Sequence, residues 1–330
     1  MRAPEFWNRA PGFLSAILAP LSLAYRVGSA WRRTFTRPWR APIPVICVGG
    51  IVAGGSGKTP VSLALVEFLK RQGIAAHFIA SGYRGSFAKS APARRIDPLR
   101  HIAAEAGDEA LLLAMAAPTW VCRERRDAAR AAFEAGADLI VMDDGYQDPS
   151  LIKDLSILVV DGAYGFGNRR ILPSGPLRET VAAGLGRADA VVLVGENESG
   201  VTASIPAAIP LLRAKLLPGP EAEDFAGQEI VAFAGIGDPP KFFRTLEELG
   251  CKFRGKFAFS DHHVFTQKDM TKLTKEAENF GALLVTTAKD MVRVPEEFRP
   301  KVRVLSVHLV FRDEAALARL VAPLLPKRYS

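Results

Sequence analysis

The sequence is poor in cysteine, and its cysteines are not spaced for metal binding. Cys47, Cys122 and Cys251 form an odd set without a C-x-x-C pair. This spacing argues against a metal site built on cysteine. Two of the three lie in apolar runs, so we expect buried free thiols of the kind that a reducing cytoplasm preserves.

Acidic residues are nearly absent from residues 1–40. One acid, Glu5, stands there against seven arginines, at positions 2, 9, 26, 32, 33, 37 and 40. This segment carries +6 of the formal net charge of +8, so the remainder of the chain is close to neutral. A basic surface spread along the whole chain would indicate nucleic acid, and no nucleic acid partner is expected here. A basic end that is also apolar indicates an anionic membrane surface.

Long uninterrupted apolar runs are also missing. Residues 13–31 are apolar, but Pro20 and Arg26 interrupt them before about 20 clean residues accumulate. Trp31, which two arginines follow, favours the membrane interface. The segment predicts an amphipathic or apolar helix, and the sequence leaves two alternatives for its location. It contacts the membrane, spanning it or lying on it, or it packs on the first lobe.

Strand and helix patterns alternate along the rest of the chain. Buried-strand patterns occur at 42–50, 75–82, 137–145, 155–162 and 188–195, with helical patterns between several of them. This alternation predicts a doubly wound parallel sheet. A proline-rich stretch from about residue 200 indicates a linker or hinge, and a second alternating series follows it.

The run GGIVAGGSGKTP, residues 49–60, leaves a predicted strand and enters a predicted helix. It matches the phosphate-loop pattern G-x-x-x-x-G-K-[ST], except that Val52 stands where the first glycine is expected. Backbone N–H groups and the helix N-terminus favour a phosphate in this context. Lys58 is expected on the β- and γ-phosphates, and Thr59 on Mg²⁺. The predicted nucleotide-binding residues are Gly54, Gly55, Ser56, Gly57, Lys58 and Thr59.

A pair of acids follows the apolar strand pattern at 137–143. Asp143 and Asp144 have the Walker B arrangement, in which a carboxylate at a strand end binds Mg²⁺ directly or through water. With the phosphate loop, they predict transfer or hydrolysis of a phosphoryl group from a magnesium nucleotide. Composition and spacing do not identify the acceptor.

Six runs together resemble one family, the tetraacyldisaccharide 4′-kinases (lipid A 4′-kinases). They are GGSGKTP, DDGYQ, GNRRILPSGPLRE (167–179), FAGIGDPPKFF (233–243), FSDHH (259–263) and TTAKDMVRV (286–294). DDGYQ resembles the family's D-D-G-[FY]-Q, and LPSGPLRE resembles its L-P-[AS]-G-P-L-R-E. The family's own phosphate loop also lacks a glycine at the place of Val52.

The resemblance implies a phosphotransferase that uses ATP and Mg²⁺. The γ-phosphate would go to the 4′-hydroxyl of a tetraacylated glucosamine disaccharide 1-phosphate, a late step of lipid A biosynthesis. The implied partners are this lipid substrate and the anionic inner-membrane surface, with no obligate protein partner. The implied location is the cytoplasmic face of that membrane, with peripheral or N-terminal attachment. Asp143 and Asp144 would hold the metal, together with Thr59.

The same resemblance implies a catalytic pair. Asp108, in AGDEALLLA, matches the aspartate that activates the acceptor hydroxyl, and His262 in SDHH would be its partner. A carboxylate–imidazole pair suits a hydroxyl that must lose its proton. Without the family, a plain helix N-cap is the alternative for Asp108, and the sequence does not choose between His262 and His263.

Further residues are expected to line the site. Arg178 would clamp a phosphate or the substrate beside the catalytic Lys58, although a surface pair with Glu179 is the alternative. Gln147, Asn168 and Arg125 are the remaining predicted substrate-lining residues.

The chain departs from the family pattern at several positions. Ser81 replaces an arginine, with Arg84 a possible substitute, and Ala288 stands where glutamate is common. In the phosphate loop, Gly50 replaces the family's asparagine, and Val52 its Ser or Thr.

We therefore predict an α/β protein with a P-loop NTPase-like, doubly wound parallel sheet. The predicted domains are a membrane-contacting segment, 1–40, a P-loop kinase core, 41–200, and a smaller C-terminal α/β lobe, 201–330. The last predicted helix, which begins near Asp313, belongs to this lobe or packs back on the core. A chain of 330 residues suits two such lobes.

The main alternative is a membrane-associated P-loop ATPase or GTPase switch of the partition or septum-positioning type. Such proteins carry an extra lysine early in the loop, and residues 49–57 contain none. They also lack the LPSGPLRE run. An adaptor that binds nucleotide only for structure is a third hypothesis, which the pairing of Asp108 with His262 disfavours.

Overall fold

The computed structural model describes residues 4–325. Arg2, which belongs to the basic segment, lies outside the described residues. Residues 326–330 of the predicted C-terminal lobe lie outside them as well.

Helices and strands alternate along most of the described chain. The α-helices are α1 (Phe13–Ile17), α2 (Ala19–Phe35), α3 (Lys58–Arg71), α4 (Ala103–Ala106), α5 (Asp108–Ala114), α6 (Arg125–Glu134), α7 (Val181–Leu185), α8 (Pro239–Glu248), α9 (Gln267–Asn279), α10 (Ala288–Met291) and α11 (Glu314–Val321). The strands are β1 (Val45–Gly49), β2 (Ala76–Ala80), β3 (Arg94–Ile96), β4 (Thr119–Val121), β5 (Leu139–Asp143), β6 (Leu155–Asp161), β7 (Ala190–Val194), β8 (Leu211–Pro218), β9 (Glu229–Ala234), β10 (Lys252–Ala258), β11 (Leu283–Thr287), β12 (Val302–Leu305) and β13 (Val307–Phe311).

In the part of the chain that the structure describes, nine strands form one large sheet in the order β13-β8-β7-β6-β1-β5-β2-β4-β3. All neighbours are parallel except the two edge pairs, β13 with β8 and β3 with β4. The chain winds outward to both sides of β1. In such sheets, ligands bind in the crevice beyond the carboxyl ends of the strands where the order reverses. The phosphate loop leaves β1 at this point.

The large sheet is covered on both faces. Ile46 and Val48 of β1 lie in the core on one face, and Val45 and Cys47 lie in the core on the other. A strand that is buried on both sides needs a continuous apolar run, which is the pattern at 42–50. Burial raises the pKa of the Cys47 thiol to about 11. The three cysteines are free, as predicted, and Cys251 is half-buried.

A smaller sheet of four parallel strands has the order β10-β9-β11-β12. Phe242 and Leu246 of α8 cover one face, and Met270 and Leu273 of α9 cover the other. The predicted fold class, a doubly wound parallel sheet with a smaller α/β lobe, is confirmed by these two sheets.

The strands after residue 200 are divided between the two sheets. β8 and β13 pair with each other in the large sheet, and Leu317 and Val321 of α11 lie in its core. The smaller sheet takes its strands from residues 229–305. The division of the chain into domains stays a proposal, and we place the smaller lobe at those residues, with α11 on the core.

The N-terminal helices α1 and α2 turn their serines inward and their apolar side chains outward. The hydroxyl of Ser15 donates a hydrogen bond to the Ser174 carbonyl, and that of Ser22 donates to the Ile171 carbonyl, both at 2.8 Å. This is the reverse of a helix that packs its apolar face on a core. The exposed apolar side chains are Phe13, Leu14, Ile17, Leu21, Leu23, Tyr25, Val27, Trp31 and Phe35.

Within residues 4–325, no helix combines the length and the hydropathy that crossing a membrane requires.

Candidate active site

Left-handed glycines shape the phosphate loop between β1 and α3. Gly54 has φ of +111° and Gly57 has φ of +83°, a conformation that strains other residues. Gly55 has no positive φ, and a Cβ atom there would meet nothing within 4 Å. The Nζ of Lys58 donates a hydrogen bond to the Gly54 carbonyl at 2.9 Å, so this lysine folds back over the loop.

Val52, at the position of the absent glycine, has a packing role. It is buried and forms an antiparallel bridge with Leu177 of the LPSGPLRE run. Beside this bridge, the Arg178 N–H donates a hydrogen bond to the Ile51 carbonyl at 2.7 Å. The bridge thus ties the phosphate loop to the segment that carries Arg178.

Asp143 ends β5 and lies against the first turn of α3. The hydroxyl of Thr59 donates to its Oδ2 at 3.2 Å, and the hydroxyl of Ser62 donates to its Oδ1 at 2.6 Å. Burial raises the pKa of Asp143 from 3.8 to about 7. A cation beside this carboxylate would favour its ionised form. Ser62 was not predicted, and its only signal was its place one turn after Lys58 on the helix.

Asp144 is held in a left-handed conformation, with φ of +49°. The guanidinium of Arg178 grips it at both oxygens, Nη1 to Oδ1 at 2.8 Å and Nη2 to Oδ2 at 3.0 Å. The Nζ of Lys58 lies 3.9 Å from Oδ1. Burial opposes ionisation of Asp144, but Lys58 and Arg178 hold its pKa below the ordinary range. The aspartate is therefore ionised and already oriented.

These groups fit a magnesium nucleotide. The hydroxyl of Thr59 and the carboxylates of Asp143 and Asp144 are the hard oxygen donors that Mg²⁺ prefers. The buried hydroxyl of Ser56 has no hydrogen-bond partner among the described residues, as expected in a loop shaped for phosphate oxygens. Residues 4–325 contain no group of three His, Cys, Asp or Glu side chains placed to bind a metal by themselves. A phosphate-loop site does not need one, since nucleotide oxygens complete the ligand set.

Asp108 and His262 meet across the two lobes. The Nδ1 of His262 lies 2.7 Å from Oδ2 of Asp108, whereas His263 contacts Asp269 at 3.1 Å. The structure therefore brings His262 to the aspartate. Burial opposes ionisation of Asp108, but the hydrogen bond from His262 and the nearby positive charges hold its pKa below the ordinary range. Asp108 begins α5 without capping it, because the N-cap is Gly107.

Two cations of the smaller lobe support this pair, and sequence reasoning missed both. The Nε of Arg293, which is buried, lies 3.6 Å from Oδ2 of Asp108. The Nζ of Lys289 lies 3.2 Å from Oε1 of Glu109, the next residue of α5. Their only signal in the sequence was the TTAKDMVRV run. These contacts hold the smaller lobe against the start of α5.

The other predicted lining residues have different surroundings. Gln147 donates to the Gly50 carbonyl at 2.9 Å and accepts from Arg178, so it lies in the site. Arg125 pairs with Asp148 at 3.5 Å. Asn168 is buried, and its amide donates to the Ser174 carbonyl at 3.0 Å. A substrate-lining role for these three residues stays a prediction.

Gly50 and Val52 depart from the family pattern within the phosphate loop, and Ser81 and Ala288 depart from it elsewhere in the chain. The hydroxyl of Ser81 accepts a hydrogen bond from the Tyr83 N–H at 3.3 Å. A guanidinium N–H of Arg84 donates to the His262 carbonyl at 3.5 Å. An arginine therefore reaches His262 even though Ser81 stands in place of one. Ala288 begins α10, next to Lys289.

Comparison with known proteins bears on what this site does. A family model described as tetraacyldisaccharide-1-P 4′-kinase matches residues 14–325. The chain belongs to the tetraacyldisaccharide-1-P 4′-kinase family. The predicted family and the prediction of a phosphotransferase are thereby confirmed, and the ATPase or GTPase switch is not favoured.

Relatives match over the whole length. The tetraacyldisaccharide 4′-kinase of Rhodospirillum centenum is 50% identical, with 98% of this chain and 97% of the relative covered. That of Rhodospirillum rubrum is 47% identical, with 99% and 100% covered. A crystal structure of the LpxK protein of Aquifex aeolicus, described as an "apo" form in complex with ATP, superposes with a TM-score of 0.74. It is 25% identical, with 95% of this chain and 100% of that chain covered.

Proposed function

We propose that this chain transfers the γ-phosphate of ATP to the 4′-hydroxyl of a tetraacylated glucosamine disaccharide 1-phosphate. Family membership supports the reaction. The observation that carries the assignment of residues is the pairing of His262 with Asp108 at 2.7 Å, beside a phosphate loop and two aspartates. An ATPase switch has no need of such a pair, whereas transfer to a hydroxyl requires a group that takes its proton.

The phosphate loop binds the phosphates of ATP, the phosphoryl donor. The N–H groups of residues 54–59 and the N-terminus of α3 neutralise the phosphate oxygens. Lys58 leaves the Gly54 carbonyl to contact the β- and γ-phosphates, since its ammonium is already over the loop. Arg178, held by Asp144, supplies a second positive charge at the transferring group.

Thr59, Asp143 and Asp144 hold the magnesium ion in this proposal. When bound, the ion neutralises charge that develops on the phosphate oxygens. Thr59 and Ser62 keep the Asp143 carboxylate oriented. The strained backbone of Asp144 aims its side chain toward Lys58 and Arg178.

Asp108 acts on the acceptor. Its ionised carboxylate takes the proton of the 4′-hydroxyl as the oxygen bonds to phosphorus. His262 donates a hydrogen bond through Nδ1 to Oδ2 and so fixes the orientation of the carboxylate. Arg293 adds a positive charge 3.6 Å away, which keeps Asp108 ionised before the proton moves.

The substrate reaches this site from the membrane. The outward apolar faces of α1 and α2, with their arginines, suit the boundary of an anionic bilayer. The same helices dock by Ser15 and Ser22 on the loop before Arg178, so the membrane-facing surface is fixed to the site. In this proposal the enzyme works at the cytoplasmic face of the inner membrane, where ATP is available.

One assay tests the function. Purified protein is incubated with γ-labelled ATP, Mg²⁺ and the lipid disaccharide monophosphate in vesicles, and label is expected on the lipid. Label found only as inorganic phosphate would reject the kinase proposal. Lys58→Ala and Asp143→Ala should each abolish transfer while the circular dichroism spectrum is kept, and near-normal turnover in either would reject the assigned site.

A further inference from the structure

Glu179 is the centre of a hydrogen-bonded chain that joins α2 to Asp144, one of the two predicted metal aspartates. It is 6% exposed and directly follows Arg178. Its carboxylate accepts hydrogen bonds from Arg33 of α2 at 3.0 Å, from Arg187 at 2.8 Å and from Gln147 at 2.9 Å. The alternative prediction, a surface pair between Glu179 and Arg178, is wrong: Arg178 pairs with Asp144, and Glu179 pairs with Arg33 and Arg187.

The link to α2 is made by one arginine that turns inward. Among the described arginines of α2, which are Arg26, Arg32 and Arg33, only Arg33 forms an ion pair. Its side chain is 33% exposed, and its guanidinium reaches Glu179. Arg32, on the same helical turn, is exposed. Two neighbouring arginines on one helix therefore have different surroundings.

The link to the metal site runs through Gln147 and Arg178. The amide nitrogen of Gln147 donates to Glu179, and its amide oxygen accepts from Arg178 Nη1 at 3.1 Å. That same Nη1 donates to Asp144 Oδ1 at 2.8 Å. The order of contacts is Arg33, Glu179, Gln147, Arg178, Asp144, without a gap.

Loss of any hydrogen-bond partner of Glu179 carries a high free-energy cost, because its carboxylate is buried. A buried carboxylate with fewer partners is strongly disfavoured, so the side chains around it adjust when one is removed. Arg187 and Arg33 supply two positive charges to one negative charge. Without Arg33, we expect Glu179 to shift toward Arg187, and this shift would move the carboxylate oxygen that accepts from Gln147.

We propose that Arg33 and Glu179 are positioning residues: the docking of α2 through Arg33 fixes Gln147 and Arg178 on Asp144. The inference rests on the proposed function of that site. It gives the N-terminal helix a role in phosphoryl transfer in addition to contact with lipid. Neither residue touches the reacting atoms, and both act through Arg178.

The test compares Arg33→Gln with Arg32→Gln. Both changes remove one positive charge from the same turn of α2, but only the first breaks a contact with Glu179. Flotation with anionic vesicles should weaken no more in Arg33→Gln than in Arg32→Gln, because Arg33 is turned inward and Arg32 is exposed. The kcat of Arg33→Gln should be about tenfold below that of Arg32→Gln, and its KM for ATP should rise by a smaller factor, because Arg178 acts mainly on the transition state. Arg33→Lys, which keeps the charge and loses the planar fork, should fall between them.

Two further measurements separate positioning from simple stabilisation. If the contacts act as one unit, Glu179→Gln combined with Arg33→Gln should lose little more kcat than Glu179→Gln alone. The affinity for a fluorescent ATP analogue with Mg²⁺, measured without lipid, should also be lower in Arg33→Gln than in Arg32→Gln. The melting temperature is recorded for each variant, and if that of Arg33→Gln falls sharply, Arg33→Lys carries the comparison.

Equal kcat and equal nucleotide affinity in the two glutamine variants would overturn the inference. Additive losses in the double variant would do the same. A wild-type protein that releases only inorganic phosphate would instead reject the proposed function, and the nucleotide-affinity comparison would still decide the positioning role.

Discussion

His262 Nδ1 and Asp108 Oδ2 lie 2.7 Å apart, although the residues are 154 positions apart in the chain and belong to different lobes. Asp108 begins α5 in the large lobe, and His262 follows the last residue of β10 by four positions. The pair therefore exists only when the smaller lobe is seated on the core. Its formation is a property of the tertiary structure, and in the proposed function the deprotonation of the acceptor hydroxyl depends on it.

Replacement of either member should lower kcat far more than stability. In the proposed function, Asp108→Asn removes the base and His262→Gln removes the donor that orients it, so kcat should fall about 10²- to 10⁴-fold in the first and less in the second. Steady-state kinetics with the lipid acceptor measure both. The matched control is His263→Gln, because His263 contacts Asp269 and not Asp108. An effect of His263→Gln as large as that of His262→Gln would contradict the assignment.

The ion pair between Lys289 and Glu109 should hold the two lobes together at this site. Both side chains are partly buried, and their atoms are 3.2 Å apart. Lys289→Ala should lower kcat about fivefold, because the hydrogen bond between His262 and Asp108 would be formed in a smaller fraction of the molecules. The exchanged pair, Lys289→Glu with Glu109→Lys, should recover part of the loss. If the exchange is no better than either single variant, the ion pair is not the contact that matters.

Asp143 should make the free protein less stable as pH rises. Its pKa is raised from 3.8 to about 7 by burial, so between these values the folded protein holds a proton that the unfolded chain has released. The free energy of unfolding then decreases with pH across this window. Asp143→Asn carries no such proton, so its melting temperature relative to wild type should increase from pH 4 to about pH 7 and then level off.

The same group predicts a pH dependence of nucleotide binding. If Asp143 holds the metal as proposed, ATP with Mg²⁺ needs its ionised carboxylate and should stabilise the wild-type protein more at pH 8 than at pH 6. Asp143→Asn should lack this difference. A nucleotide-induced shift in melting temperature that is the same at both pH values in wild type would contradict the raised pKa.

The sheet strands around the phosphate loop could be predicted because their signals are local. Strand β1 is apolar at every position, since both faces of the sheet are covered, and the glycines and Lys58 follow it directly. The proline-rich stretch that contains β8 predicts a linker, because prolines surround the strand and its periodicity is weak, and for residues 211–218 that prediction is wrong. Its strand conformation comes from pairing with β7 and β13, which no local pattern records.

The site was predictable where a motif fixes the backbone and unpredictable where distant side chains meet. Lys58 and Thr59 belong to the phosphate-loop motif, and Asp143 belongs to the DDGYQ motif. The choice of His262 over His263, and the inward turn of Arg33, depend on contacts with residues far away in the sequence. A helix of alternating apolar and small residues does not reveal which face carries the docking serines.

Restoring the absent glycine should damage the protein. Val52 is buried and bridges Leu177, so Val52→Gly loses apolar burial and gains backbone freedom, a cost of about 2 kcal/mol in the free energy of unfolding. ATP affinity should not improve, because the turn is already made by Gly54 and Gly57. Denaturant unfolding and nucleotide titration measure the two effects. A variant with unchanged stability and tighter ATP binding would mean that Val52 is an incidental departure from the usual loop.

The outward apolar face of α2 should govern binding to vesicles without governing the fold. Leu23 and Val27 are both 59% exposed and lie on neighbouring turns. Leu23→Ser with Val27→Ser removes apolar area that only lipid would cover, so flotation with anionic vesicles should weaken about tenfold or more. The melting temperature should stay within a few degrees, since the inward contacts of α2 are made by Ser22 and Arg33, which are unchanged. Ser22→Val is the converse variant: it breaks the bond to the Ile171 carbonyl and should lower the melting temperature while the apolar face stays available. If the double serine variant floats like wild type, lipid contact is made elsewhere on the protein.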